Sequence, residues 1–251
     1  MNKNIKKQLI EALQDQKDIF GDELFEELKK RRTSVVTVSK EMLPKHTGDE
    51  PGLFLEEKES WENAQTLDEL EGLIKNCKKC PLYKSRNKFV FGSGNPDAGI
   101  MCIGEGPGAE EDKQGLPFVG RAGQLLTEIL KAIKFTREEV YIANILKSRP
   151  PENRTPLPSE MDACLPYLKK QIELIKPKLI LCLGLTAAQG LLMKKETMTN
   201  LRGKLFEFES GSFRTKVMVT YHPAALLRNP NLKRDCWEDV KKLRKLYDEM
   251  S

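Results

Sequence analysis

Four short apolar runs stand out along the chain, at 99–103, 140–146, 179–183 and 217–221. Three of them show little polar alternation, as expected of strands covered on both faces. Between and after them lie stretches with apolar residues at helical spacing, at 122–133, 159–175, 186–194 and 234–250. A further helix is predicted from Thr66 through TLDELEGLIKNC, with Thr66 as cap and Glu69 in capping-box position. Strand alternating with helix at this spacing predicts an α/β domain: a three-layer α/β/α sandwich around a central, mainly parallel four-stranded sheet. Right-handed crossovers then bring the carboxyl ends of the strands to one edge of the sheet, where ligands bind in such folds.

Ahead of this pattern the chain changes character. Residues 1–31 carry Ile5, Leu9, Leu13, Ile19, Phe20, Leu24, Phe25 and Leu28 among many charges and read as a charged helical extension. Residues 32–65 lose periodicity and read as a flexible linker, which leaves 66–251 as the principal domain. The extension has room for a repair or replication partner, but its composition names none.

Composition narrows the class. At 251 residues, the chain suits one core plus an appendage, and 39% hydrophobic with 31% charged residues is a globular balance. No apolar run reaches the roughly 18–20 residues that cross a bilayer, and the N-terminus lacks the pattern of a secretory signal, so a cytoplasmic location is expected. A net charge of +5 is compatible with a polyanionic partner without requiring one. The six cysteines, in a reducing compartment, are not expected to form disulfides. Cys102, Cys182 and Cys236 fall in apolar or helical patterns and read as core residues.

The unusual residues gather at the strand ends. The first run leads into Gly104-Glu105-Gly106-Pro107-Gly108-Ala109-Glu110-Glu111-Asp112 and then Gly115-Leu116-Pro117-Phe118-Val119-Gly120-Arg121, which opens a helix. The second contains Asn144 and leads to Lys147-Ser148-Arg149-Pro150-Pro151-Glu152-Asn153-Arg154. The fourth ends in Tyr221-His222-Pro223-Ala224-Ala225-Leu226-Leu227-Arg228. Each has a plain alternative. The glycine-rich turn carries a proline and an acid where a phosphate would approach, Asn144 can be satisfied by a structural partner, and 110–112 can be an exposed acidic turn. Taken together, an amide, an imidazole, an aromatic ring and acids at one sheet edge suit recognition of a flat heterocycle.

GEGPGAEED, GLPFVGRAGQLL, RPPENR and YHPAALLRNP match, in order, the signature blocks of family 4 uracil-DNA glycosylases, and the resemblance covers about residues 66–248. The resemblance implies excision of uracil from DNA after the nucleotide is flipped into a pocket. It implies that His222 donates to uracil O2 as the base leaves, that Asn144 pairs with the Watson–Crick edge, and that Phe118 stacks on the ring. Glu105, Gly106 and Asn153 would complete the base pocket. Related glycosylases often carry Asp or Asn at the slot held here by Gly106, which directs the search for a catalytic acid to Glu111, with Asp112 second. Leu226 and Leu227 would form an apolar wedge, and Arg121, Arg154 and Arg228 would hold phosphates. The resemblance leaves open a wider range of deaminated bases, and a binding domain without catalysis. A monomer is expected, because one flipped base needs one pocket.

The same family implies a [4Fe–4S] cluster. Cys77 and Cys80 form a C-x-x-C followed by Pro81, and Cys164 matches a third ligand. The fourth position is Ser148 in place of the family's cysteine. A cluster with three thiolates and a weaker fourth ligand, substitution by another cysteine, and loss of the cluster or its replacement by zinc are the alternatives. The cluster's role would be structural, because hydrolysis needs no electron transfer.

Overall fold

A computed structural model of the chain describes residues 60–211 and 213–250. The expected extension at 1–31 and all of the linker before residue 60 lie outside the described residues. Residues 60–65, expected as linker, pack on the domain instead. The Trp61 ring meets Tyr167 edge-on with centroids 4.9 Å apart, and Ala64 is fully buried. One aromatic residue without periodic neighbours gives a sequence reader no element to place it in.

The sheet has six strands: β1 Ser93–Gly94, β2 Ile100–Gly104, β3 Tyr141–Asn144, β4 Leu179–Leu183, β5 Leu205–Ser210 and β6 Phe213–Thr220. Their order is β1-β3-β2-β4-β6-β5. The four inner strands are parallel, as expected, and an antiparallel strand flanks each side. These two edge strands are additions to the expected four. β1 is two residues long, and β5 alternates Phe206 and Phe208 with Glu207 and Glu209, as an edge strand with one wet face does.

The apolar continuity of the inner strands follows from burial on both faces. Met101, Ile103, Ala143, Ile180, Cys182, Val217 and Val219 face one layer, built from α4 (Pro158–Ile175), α5 (Leu185–Leu192) and α6 (Met198–Leu201). Ile100, Cys102, Ile142, Leu179, Leu181, Leu183 and Met218 face the other, built from α3 (Arg121–Ala132), α7 (Pro223–Arg228) and α8 (Lys233–Glu249). Alternate residues thus enter opposite cores, and both are apolar. Cys102, Cys182 and Cys236 are core residues, as expected.

Two further helices complete the domain, α1 (Leu67–Ile74) and α2 (Ala109–Gln114). Thr66 Oγ1 accepts from the Glu69 N–H, and Glu69 reaches back to the N–H of Gln65, so the cap works one residue beyond the expected box. No helix among the described residues is long and apolar enough to cross a membrane.

Candidate active site

At the carboxyl edge of the inner strands lies a cleft of about 730 Å³. Parallel pairing sets Gly104 at the end of β2 beside Asn144 at the end of β3. Leu183 and Thr220 pair at the ends of β4 and β6, and His222 follows two residues later. Glu105, Gly106, Glu111, Phe118, Asn144, Asn153, Arg154, His222 and Arg228 all line this cleft, so most of the site residues expected from sequence converge there.

Asn144 is 2% exposed, and its Oδ1 is the one buried side-chain polar atom without a hydrogen-bond partner among the described residues. An acceptor left bare in this way costs free energy unless a ligand's donor fills it. Gly104 makes room for it. A Cβ at Gly104 would overlap Asn144 Oδ1 and the Phe118 ring, with Cε2 only 2.7 Å away.

Phe118 forms the neighbouring wall. Its backbone is left-handed, at φ 53°, a conformation that non-glycine residues adopt only when the surroundings enforce it. Arg137 supplies that force from one side, donating to the carbonyls of Pro117 and Phe118. Glu111 acts from the other, its Oε1 accepting from the N–H groups of Val119 and Gly120 at 2.9 Å each. Gly123 lets α3 close against the turn, since a Cβ there would overlap the Phe118 carbonyl. The Phe118 ring then lies 5.5 Å from the His222 ring, tilted by 31°.

His222 caps α7. Its Nδ1 accepts from the N–H of Ala224 at 3.1 Å, with Pro223 occupying the first turn. A ring nitrogen that accepts carries no proton, so the proton of the neutral ring sits on Nε2, which is left to donate. Burial lowers the His222 pKa from 6.5 to about 4, helped by the Arg228 cation and opposed by Glu111. The imidazole is neutral at physiological pH.

Three of the expected residues have other roles. Asp112 is 1% exposed and does not line the cleft; its carboxylate accepts from the backbone and side-chain amides of Asn87. On α2, Asp112 and Glu111 are neighbours and diverge by about a quarter turn, so only one can face the cleft. Leu226, expected in an exposed wedge, is 1% exposed and packs in the core beneath α7, while Leu227 is exposed. The helical turn after Pro223 separates the two in the same way. Arg154 is held by the buried carboxylate of Glu160 through two bonds of 2.9 and 2.5 Å, so its guanidinium braces the cleft loop. That pairing also lowers the Glu160 pKa. Asn153 accepts from Arg149 Nε at 2.8 Å. Arg121 and Leu227 border a shallow groove elsewhere on the surface.

The cysteines meet where the arm at 77–91 joins α4. Cys77 Sγ lies 3.3 Å from the Tyr167 hydroxyl. A hydrogen bond between Cys80 and Cys164 holds the Cys80 thiol well below its ordinary pKa and pushes Cys164 up. Ser148 is buried, and its Oγ accepts from Arg86 Nη1 at 3.3 Å. The same guanidinium donates to the carbonyls of Cys77 and Lys75. Among the described residues no three His, Cys, Asp or Glu side chains converge on one point as a single metal ion requires. A cluster spreads its ligands around four irons. Thiols are the donors such a cluster takes, and at the fourth position Ser148 offers a harder hydroxyl, engaged here by Arg86.

Arg137 is the site residue that sequence reading passed over, and the parts played by Gly104, Gly123 and the fully buried Lys147 were not read from it. Only the lysine left a signal there, as a charge set directly after an apolar strand.

Comparison with known proteins agrees with this geometry. The pattern of the Uracil DNA glycosylase superfamily matches residues 91–241. The chain is 44% identical over 186 residues to the type-4 uracil-DNA glycosylase of Archaeoglobus fulgidus, covering 72% of this chain and 94% of that protein. It is 46% identical over 178 residues to the type-4 enzyme of Pyrobaculum aerophilum, covering 69% and 91%. With the type-4 enzyme of Thermotoga maritima it shares 48% over 172 residues, covering 67% and 88%. The chain belongs to the uracil-DNA glycosylase superfamily, within its type-4 family.

Proposed function

We propose that the cleft receives a uracil nucleotide turned out of DNA and that Asn144, Phe118, His222 and Glu111 carry its excision. As a type-4 uracil-DNA glycosylase the chain hydrolyses the N-glycosidic bond of uracil in DNA, releasing uracil and leaving an abasic site. The observation that carries the residue roles is the unpartnered, buried Oδ1 of Asn144, a residue that lines the cleft. Uracil offers a donor at N3 and an acceptor at O4, and a single amide meets both. Phe118 stacks on the ring. As the C1′–N1 bond breaks, charge collects on the base, and the His222 Nε2 proton is held ready for O2. Water adds its oxygen to C1′, and the proton it gives up ends on the departing uracil anion, so that neutral uracil and a C1′ hydroxyl result. Glu111 keeps one oxygen on the Phe118 turn and offers the other to that water or to the cationic sugar.

Arg228 on the cleft rim and Arg121 beside the exposed Leu227 supply the DNA contacts, with Leu227 filling the gap left by the extruded nucleotide. The protein acts in the cytoplasm as a monomer, and a repair or replication protein is its partner through the N-terminal extension, residues 1–31. The test is a labelled oligonucleotide with one uracil, treated with protein and then alkali. Asn144→Ala should cleave about 10²-fold more slowly, the usual scale for one preorganised polar contact. Unchanged cleavage would remove Asn144 as the base reader, and equal cleavage at hypoxanthine would widen the substrate class.

Cys77, Cys80 and Cys164 would hold a [4Fe–4S] cluster, with Ser148 as the weak corner. Such a cluster supplies a structural tie between the 77–91 arm and α4. Freshly purified protein should carry up to about four irons per chain and lose them readily to chelator. Ser148→Cys should slow that loss several-fold, followed by visible absorbance and iron content. Equal rates of loss in the two proteins would show that residue 148 is not a ligand.

A further inference from the structure

Lys147 is the largest fully buried side chain of the domain, with no exposure to solvent. Burying an amino group is costly unless it finds hydrogen-bond partners. Here it finds three. Nζ donates to the Phe91 carbonyl at 3.0 Å, to the Asn144 carbonyl at 3.0 Å and to Gln171 Oε1 at 2.6 Å. The acceptors are neutral and come from three different parts of the fold: the end of the cysteine-bearing arm, the end of β3, and α4. Gln171 in turn donates to the Phe91 carbonyl at 3.1 Å, and the Val90 N–H donates to the Lys147 carbonyl at 2.9 Å.

The placement is selective. Packing alone would be met by methionine or leucine at lower cost, whereas a threefold donor fixes three carbonyl-type oxygens in one arrangement. One of these oxygens is the backbone carbonyl of Asn144, the cleft-lining residue whose side chain carries the unpartnered Oδ1. The direction of that side chain follows the backbone, and on the β2 side the strand is already fixed, since the Ile145 N–H bonds the Gly104 carbonyl at 2.9 Å. Lys147 fixes the opposite side.

We infer that Lys147 is a positioning residue for uracil recognition, holding the Asn144 backbone against the cysteine-bearing arm and α4 so that the Asn144 amide meets the base. The inference rests on Asn144 as the base reader. It also gives the cysteine junction a route to the cleft: Ser148 is the next residue, and Gln171 lies two turns along α4 from Cys164.

A double-mutant cycle tests it. Single-turnover excision is measured for the wild type, Lys147→Met, Asn144→Ala and the double variant. Lys147→Met should slow the reaction about 10- to 100-fold when Asn144 is present, and no more than about 3-fold when it is alanine, as for residues coupled in one network. A purely structural lysine would cost the same factor in both backgrounds, and that result would overturn the inference while leaving Asn144 in its role. If Asn144→Ala alone excises at the wild-type rate, the base-reading role fails first and the inference falls with it. Should Lys147→Met not fold, Gln171→Leu keeps the lysine and removes one acceptor. The same cycle should then show a smaller loss, about 3- to 10-fold, again confined to the Asn144 background. Additive losses there would count against the proposal equally.

Discussion

Alanine in place of His222 should lower the single-turnover rate of uracil excision by about 10²- to 10³-fold while leaving affinity for the DNA nearly unchanged. That split marks a group that acts on charge developing in the transition state. The structure prepares it in three ways. The ring is fixed at the first turn of α7 by its bond from the Ala224 N–H, its remaining proton is on Nε2, and burial keeps it uncharged. A neutral donor poised in a partly dry cleft stabilises an anion without first having to be protonated. The pH profile follows. With the pKa lowered from 6.5 to about 4, the His222 contribution to the rate stays level from pH 5 to 8. A fall in rate centred near pH 6.5 and absent from the alanine variant would mean that the cationic ring is the donor or that the neutral form is not held.

The same shift bears on stability. Between pH 6.5 and about 4 the unfolded chain binds a proton on His222 that the folded chain does not. The folded state therefore loses stability as pH falls through that window and holds the full contribution above it. His222→Ala removes this dependence, so a melting curve of the variant should be flatter from pH 7 to 4.5 than that of the wild type. A mutant that loses activity yet keeps the wild-type pH dependence of melting would point to another group as the source of that dependence.

What could be read from the chain, and what could not, divides along physical lines. The inner strands were legible because both their faces are buried, which writes an unbroken apolar run at each. The edge strand β5 has one wet face, and β1 spans two residues, so neither has such a run. Asn144 and His222 were legible because a lone polar residue at the end of an apolar run needs a reason to be there. Leu226 and Leu227 look alike in the sequence; which of them enters the core depends on the rotation of α7 after Pro223. Glu111 and Asp112 pose the same difficulty one helix earlier. Arg137 acts on backbone carbonyls 19 and 20 residues away, and Lys147 acts on one 56 residues away as well as on that of Asn144, three residues back; no local pattern records the distant bonds. The uses of Gly104 and Gly123 are legible only in three dimensions, as space needed by Asn144 and Phe118.

Gly104 yields the other large expected effect. Alanine at this position adds one methyl group on the floor of the cleft, where it would overlap Asn144 Oδ1 and the Phe118 ring. Neither neighbour can easily withdraw. Asn144 belongs to the inner strand paired with Gly104 itself, and Phe118 is held in a left-handed turn by Arg137 and Glu111. The methyl must therefore displace the base reader, the stacking ring, or the strand between them, at a stability cost of about 1–3 kcal/mol for overpacking a fixed site. The cost to function should be greater. An amide turned away from the base loses both of its hydrogen bonds, and a displaced ring loses the stack, so excision should fall by about 10²-fold or more while the protein remains folded. Thermal melting and single-turnover excision on one preparation separate the two effects. A variant that melts a few degrees lower and excises uracil at close to the wild-type rate would show that the base does not rest against Asn144 and Phe118. In a background with Asn144→Ala, which vacates one side of the contested space, Gly104→Ala should cost less in both measurements. Relief in melting without relief in rate would leave Phe118 as the wall that matters.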